Sequence, residues 1–116
     1  MKHVAGAMEK IQQTVAAWEG VSSRPHRFGG IEFRFGKREL GHLHGDFLLD
    51  IPFPQKVRND LVESGRAAAH HVLPESGWIS FYIRSEEDID EALGLLTLSF
   101  ELAKKRAGNE TARIAR

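Results

Sequence analysis

Four of the six histidines stand in two tight sets, His42-Leu43-His44 and His70-His71. Near neutral pH an imidazole can bind a metal, exchange a proton or make an ordinary hydrogen bond. In an extended segment residues two apart share a side, so His42 and His44 project together. With one histidine of the second set and Asp50, they would make up a four-ligand metal site. With Arg34 in reach as a polarising group, one of them would instead take a proton from a substrate hydroxyl. The remaining readings are ligand binding without chemistry and histidines bonded to loop carbonyls. Spacing alone leaves all of these open.

The elements that must position these side chains follow from periodicity. Val4, Met8, Ile11, Val15 and Trp18 are spaced 4, 3, 4, 3, which predicts a helix over residues 3–19 that stops at Gly20. Residues 21–30, with Ser22, Ser23, Pro25, Gly29 and Gly30, read as a loop. Ile31 to Phe35 alternates as a strand, Gly36-Lys37 suits a hairpin turn, and Arg38 to His44 is the return strand. A third strand covers Phe47 to Ile51. Pro54 opens a second helix that ends at Gly65. Ala67 to Leu73 reads as a fourth strand and Trp78 to Ile83 as a fifth. Ser85, followed by Glu86, Glu87 and Asp88, caps a last helix whose stripe is Ile89, Leu93, Leu96, Phe100 and Ala103. The expected fold is α+β: a five-stranded antiparallel sheet, made of a three-strand meander plus a hairpin, with helices packed on it in the order α-β-β-β-α-β-β-α.

Alternation assigns the faces. Ile79, Phe81 and Ile83 should meet the helices, which leaves Trp78, Ser80 and Tyr82 on the other side with Glu32 and Arg34. Sending Leu43 to the core puts His42 and His44 beside Trp78 and Tyr82, although Leu40 argues for the opposite register. Alternation also sends His70 and His71 to opposite faces, so one of them joins the set.

Composition narrows the classes. The 116 residues suit a single domain, expected over 1–106 with a flexible tail over 107–116. Sixteen basic and sixteen acidic residues balance, so no global field favours nucleic acid. No run is long and apolar enough for a membrane span, and no secretory leader is evident, so no membrane partner and a cytoplasmic setting are expected. Cysteine is absent, which removes disulfides, thiolate metal sites and a thiol nucleophile. Neither a dinucleotide-binding glycine loop nor a phosphate loop nor a Gly-x-Ser-x-Gly elbow occurs. A local basic stretch from Arg24 to Arg38 keeps a rival class in view, a non-enzymatic interaction module for nucleic acid or protein.

The runs Pro25-His-Arg-Phe-Gly-Gly30, Glu32-Phe-Arg34 and Gly41-His-Leu-His-Gly45 resemble the small bacterial luciferase-family proteins, which share a domain with the fungal luciferase. Asp50-Ile-Pro-Phe-Pro54, His70-His-Val-Leu-Pro74 and Ser76-Gly-Trp-Ile-Ser-Phe-Tyr82 look like the later motifs of that family. The Trp78 strand followed by the Leu95–Leu102 helix is more distantly similar to the MmcQ/YjbR-like α+β proteins. The resemblance implies a small aromatic or enolic ligand, with oxygenation of its anion and no metal or organic cofactor. It implies His42 or His44 as the base and His70 or His71 as an orienting or second proton group. Arg34 would then be the oxyanion partner, with Trp78 and Tyr82 as the stacking wall and His26, Arg27 and Ser80 as further ligand contacts.

Overall fold

The computed structural model describes residues 4–114, with side chains to residue 111. In chain order it contains α1 (Ala7–Val15), β1 (Val21–His26), a 3-10 turn (Arg27–Gly29), β2 (Gly30–Phe35), β3 (Arg38–His44), β4 (Leu48–Pro52), α2 (Gln55–Glu63), β5 (Ala68–Ala69), β6 (Trp78–Tyr82) and α3 (Glu86–Ile114). The strands form one antiparallel sheet in the order β1-β2-β3-β4-β6-β5. The mixed α+β architecture is as expected, but the sheet has six strands where the periodicity predicts five.

The extra strand is β1, in the stretch expected to be a loop. Ser22, Ser23, Arg24 and Pro25 have little strand character of their own. Pairing with β2 imposes the conformation, from Val21↔Phe35 through His26↔Gly30. Pro25 lacks a backbone N–H, which an edge strand tolerates. The fourth strand predicted over 67–73 shrinks to Ala68 and Ala69, paired with Ser80 and Ile79. Alanine offers too little surface to hold a longer ladder. α1 ends at Val15, before the predicted stop. α3 continues through Ile114, into the stretch 107–116 expected as a tail. Residues 1–3 and 115–116 lie outside the described residues.

Phe33, Leu40, Leu43, Leu49, Ile51 and Ile79 from the sheet form one buried cluster with Ile11 and Val15 of α1 and Ile89, Leu95, Leu96 and Phe100 of α3. Trp18 stacks on Phe100 with ring centroids 5.2 Å apart. Asp46, in the β3–β4 turn, accepts hydrogen bonds from the N–H groups of Met8 (2.9 Å) and Gly6 (3.3 Å), capping α1 from a distant part of the chain. Asp88 Oδ2 accepts from the N–H groups of Arg84 and Ser85 at 2.8 and 3.1 Å, as the capping pattern requires.

A β-bulge resolves the conflict between Leu40 and Leu43. Phe33 pairs with Gly41 and Arg34 with Glu39, so Leu40 has no cross-strand partner in the register. The inserted residue shifts the alternation, and Leu40 and Leu43 both face the core. Ser99 of α3 donates its hydroxyl to the Leu40 carbonyl at 2.8 Å, satisfying the bulged peptide. Gly41 follows at φ 157°, and a Cβ there would lie 3.0 Å from the Asp50 carbonyl oxygen and 3.2 Å from Leu96 Cδ2. Gly41→Ala is therefore expected to lower stability by about 2 kcal/mol through overpacking. Urea unfolding measures this, and an unchanged midpoint would refute the packing account.

Candidate functional site

One row of paired residues crosses the sheet on the side away from α1 and α3. It runs Arg24↔Glu32↔His42↔Asp50↔Ser80↔Ala68. His26, Arg34, His44 and Trp78 lie two residues along their strands from members of this row and share its face. Asp50 is the hub and is fully buried. Its neighbours on β4, Leu49 and Ile51, point to the opposite side and anchor the strand in the core.

Four imidazoles close over Asp50. The Nε2 atoms of His44, His71, His70 and His42 lie 2.9, 3.0, 3.3 and 3.5 Å from Asp50 Oδ2. Ser80 Oγ donates to the other oxygen, Oδ1, at 2.7 Å. Burial alone would raise the Asp50 pKa, but hydrogen bonds from His42, Ser80 and His71 outweigh it and hold the group well below the usual carboxylate range.

A second tier holds the first. Glu39 Oε2 lies 2.6 Å from His42 Nδ1. His26 stacks on His42, with centroids 4.1 Å apart and planes inclined by 17°. His26 Nδ1 meets Glu32 at 3.1 Å, and Arg34 Nε donates to the same carboxylate at 2.5 Å. The bond from His26, backed by Arg34, lowers the Glu32 pKa against the opposing effect of burial. For His42, burial pushes the pKa down, but hydrogen bonds to Asp50 and Glu39 prevail and raise it to about 9.

Hydrogen-bond partners assign the His70 tautomer. Its Nδ1 accepts from the backbone N–H groups of Val72 (3.1 Å) and Leu73 (3.0 Å), so Nδ1 bears no proton and Nε2 carries one. Burial lowers the His70 pKa, with Asp50 opposing, and favours this neutral form.

The expected residues divide into those the fold gathers and those it does not. His26, His42, His44, His70, His71, Trp78 and Ser80 come together. Trp78 packs against His42 and His70 at 5.3 and 5.8 Å. His70 and His71 both join the cluster, contrary to the alternation argument, because β5 ends at Ala69 and both residues lie beyond it. Tyr82 shares the face but takes the Arg84 guanidinium over its ring at 5.0 Å. Arg34 is engaged by Glu32 and the Lys37 carbonyl and reaches the cluster only through His26. Arg27 is exposed in the 3-10 turn, outside the cluster.

Sequence reasoning undervalued Asp50 and overlooked Glu39. A carboxylate inside the run Phe47-Leu-Leu-Asp-Ile51 was a usable sign, since a strand buried on both faces admits a charge only with partners. Glu39 gave no sign, because its approach to His42 depends on the bulge.

Fold and site together define an α+β protein of helices packed on an antiparallel sheet, with a histidine–carboxylate centre on the side away from α1 and α3. The model of the Luciferase domain family matches residues 37–99, more than half of the 116-residue chain. The protein belongs to that family. The matched segment carries His42, His44, Asp50, His70, His71, Trp78 and Ser80. No curated protein and no solved structure matches the chain. Among the described residues, no helix is long and apolar enough to cross a membrane.

Proposed function

We propose that this luciferase-family protein binds a small aromatic or enolic molecule on its imidazole face and promotes the reaction of that molecule's anion with molecular oxygen. The observation that carries this reading is the assembly of four imidazoles around the buried Asp50 carboxylate, with His26 and Trp78 packed beside them. Planar rings at His26 and Trp78 flank His42 and offer stacking surfaces to a planar ligand. The partly exposed rings of His44 and His71 place polar edges where an enolate oxygen can meet them.

The chemistry has a clear electronic demand. Loss of the enol proton makes the ring carbon electron-rich. Both electrons of the new carbon–oxygen bond come from that carbanion-like centre, and oxygen is reduced to the peroxide level. Returning the proton to the distal oxygen gives a hydroperoxide, with the composition of substrate plus one molecule of oxygen. The protein's part is to hold the anion in place and exclude water from it.

A hydroxypyrone is the appropriate probe. Oxygen uptake of one molecule per molecule of pyrone is expected, with perturbed resonances for Trp78, His26 and His44. Uptake should be abolished in the His42→Ala, His44→Ala double variant. Unperturbed spectra and no uptake in the native chain would remove the reading, as would undiminished uptake in the double variant.

A further inference from the structure

His42 is held between two carboxylates. Its Nδ1 lies 2.6 Å from Glu39 Oε2 and so carries a proton. Its Nε2 faces Asp50 Oδ2, 3.5 Å away, and in the metal-free protein carries a second proton that a bound cation would displace. His44 Nε2 lies 2.9 Å from the same oxygen. The His42, His44 and Asp50 donor atoms all fall within 4.8 Å of one another. Bonds of roughly 2.1 Å at tetrahedral angles place neighbouring donors about 3.4 Å apart, close to the 3.5 and 2.9 Å at which His42 and His44 already stand from Asp50 Oδ2.

We propose that His42 Nε2, His44 Nε2 and Asp50 Oδ2 form a mononuclear site for a divalent first-row transition-metal ion. Imidazole and carboxylate donors without thiolate suit manganese, iron, cobalt, nickel or zinc. Two imidazoles and one carboxylate leave further positions on the ion open, and an enolate can occupy them. The supporting contacts are those of metal sites. Glu39 fixes the tautomer and orientation of His42, and Ser80 holds Oδ1 so that Oδ2 faces the imidazoles.

His70 is excluded from the ligand set although its Nε2 lies only 3.3 Å from the shared oxygen. With Nδ1 accepting two backbone N–H groups, its Nε2 bears a proton and has no lone pair to give. His70 is therefore a positioning residue that steadies Asp50. His71 Nε2, 3.0 Å from Oδ2, groups with Asp50 and His70 rather than with the His42–His44 pair, and is not placed in the ligand set. This site replaces the metal-free expectation drawn from the family resemblance, and it does not rest on the oxygen reaction proposed above.

The test is metal-stripped protein titrated with zinc by calorimetry and with cobalt by visible absorption. One ion per chain is expected, with ligand-field bands of a nitrogen- and oxygen-bound cobalt ion. His42→Ala and His44→Ala should each weaken binding more than about 100-fold, and His70→Gln, as a supporting residue, by about 10-fold. Because the alanine variants can lose their fold, the wild-type ring nitrogens supply a second readout. Zinc should shift Nε2 of His42 and His44 and leave His70 protonated at Nε2. Failure of the folded protein to take up one ion would overturn the site. A His70 that coordinates zinc, or a His70→Gln loss equal to that of His42→Ala, would overturn the assigned ligand set. One ion bound without oxygen uptake would support the site and remove only the oxygen reaction.

Discussion

Replacing Asp50 by alanine is expected to lower the unfolding free energy of the metal-free protein by about 3 kcal/mol, the scale for breaking a buried charged pair. The carboxylate gathers His42, His44, His70 and His71 on one oxygen and Ser80 on the other. Without it, the Ser80 hydroxyl and the His70 N–H lose their acceptor in a place where water has little access. Asp50→Asn keeps the shape and one carbonyl acceptor, so roughly half the loss is expected. Urea unfolding of the three proteins, each treated with chelator, gives the comparison. An alanine variant as stable as the parent would mean that the cluster is not held by its carboxylate.

Stability of the chelator-treated protein should peak near pH 6.5 and fall on both sides. His42 titrates in the folded state at about 9, against 6.5 for the unconstrained side chain. A raised folded pKa stabilises fully below 6.5, and that contribution disappears as the pH climbs through 9. A shift of this size corresponds to a loss on the order of 3 kcal/mol. The groups facing His42 are Asp50 from β4, Glu39 and His44 from its own strand, the His26 ring from β1 and the nearby His70.

The acid side has the opposite sign. His70 is lowered from 6.5, so the unfolded chain takes up its proton first and stability falls as the pH drops below that value. Asp50, also lowered, adds a further loss as the pH falls below 3.8, where the unfolded chain takes up this proton before the folded one does. His42→Asn should flatten the alkaline limb and keep the acid one. A wild-type profile level between pH 6.5 and 9 would contradict the role given to the Asp50–His42–Glu39 contacts.

Much of the site was readable before any fold was known. Strict alternation in Ile31–Phe35 and Trp78–Tyr82 separated the aliphatic from the aromatic and polar side chains. The His-x-His spacing put two imidazoles on one face. The parity of β3 was not readable. Leu40 and Leu43 gave contradictory registers, and only the bulge, with Ser99 of α3 taking the Leu40 carbonyl, reconciled them. β1 was invisible for a related reason, since its conformation comes from its neighbour rather than from its own residues.

Local pattern thus determined the helices, most of the strands and the pairing of His42 with His44, because 3.6- and 2-residue periods are written into consecutive side chains. The tertiary structure alone decided that Asp50 is the hub, that both His70 and His71 turn toward it, and that Glu39 backs His42. These depend on cross-strand register and on where β5 ends, which contacts between residues far apart in the chain impose.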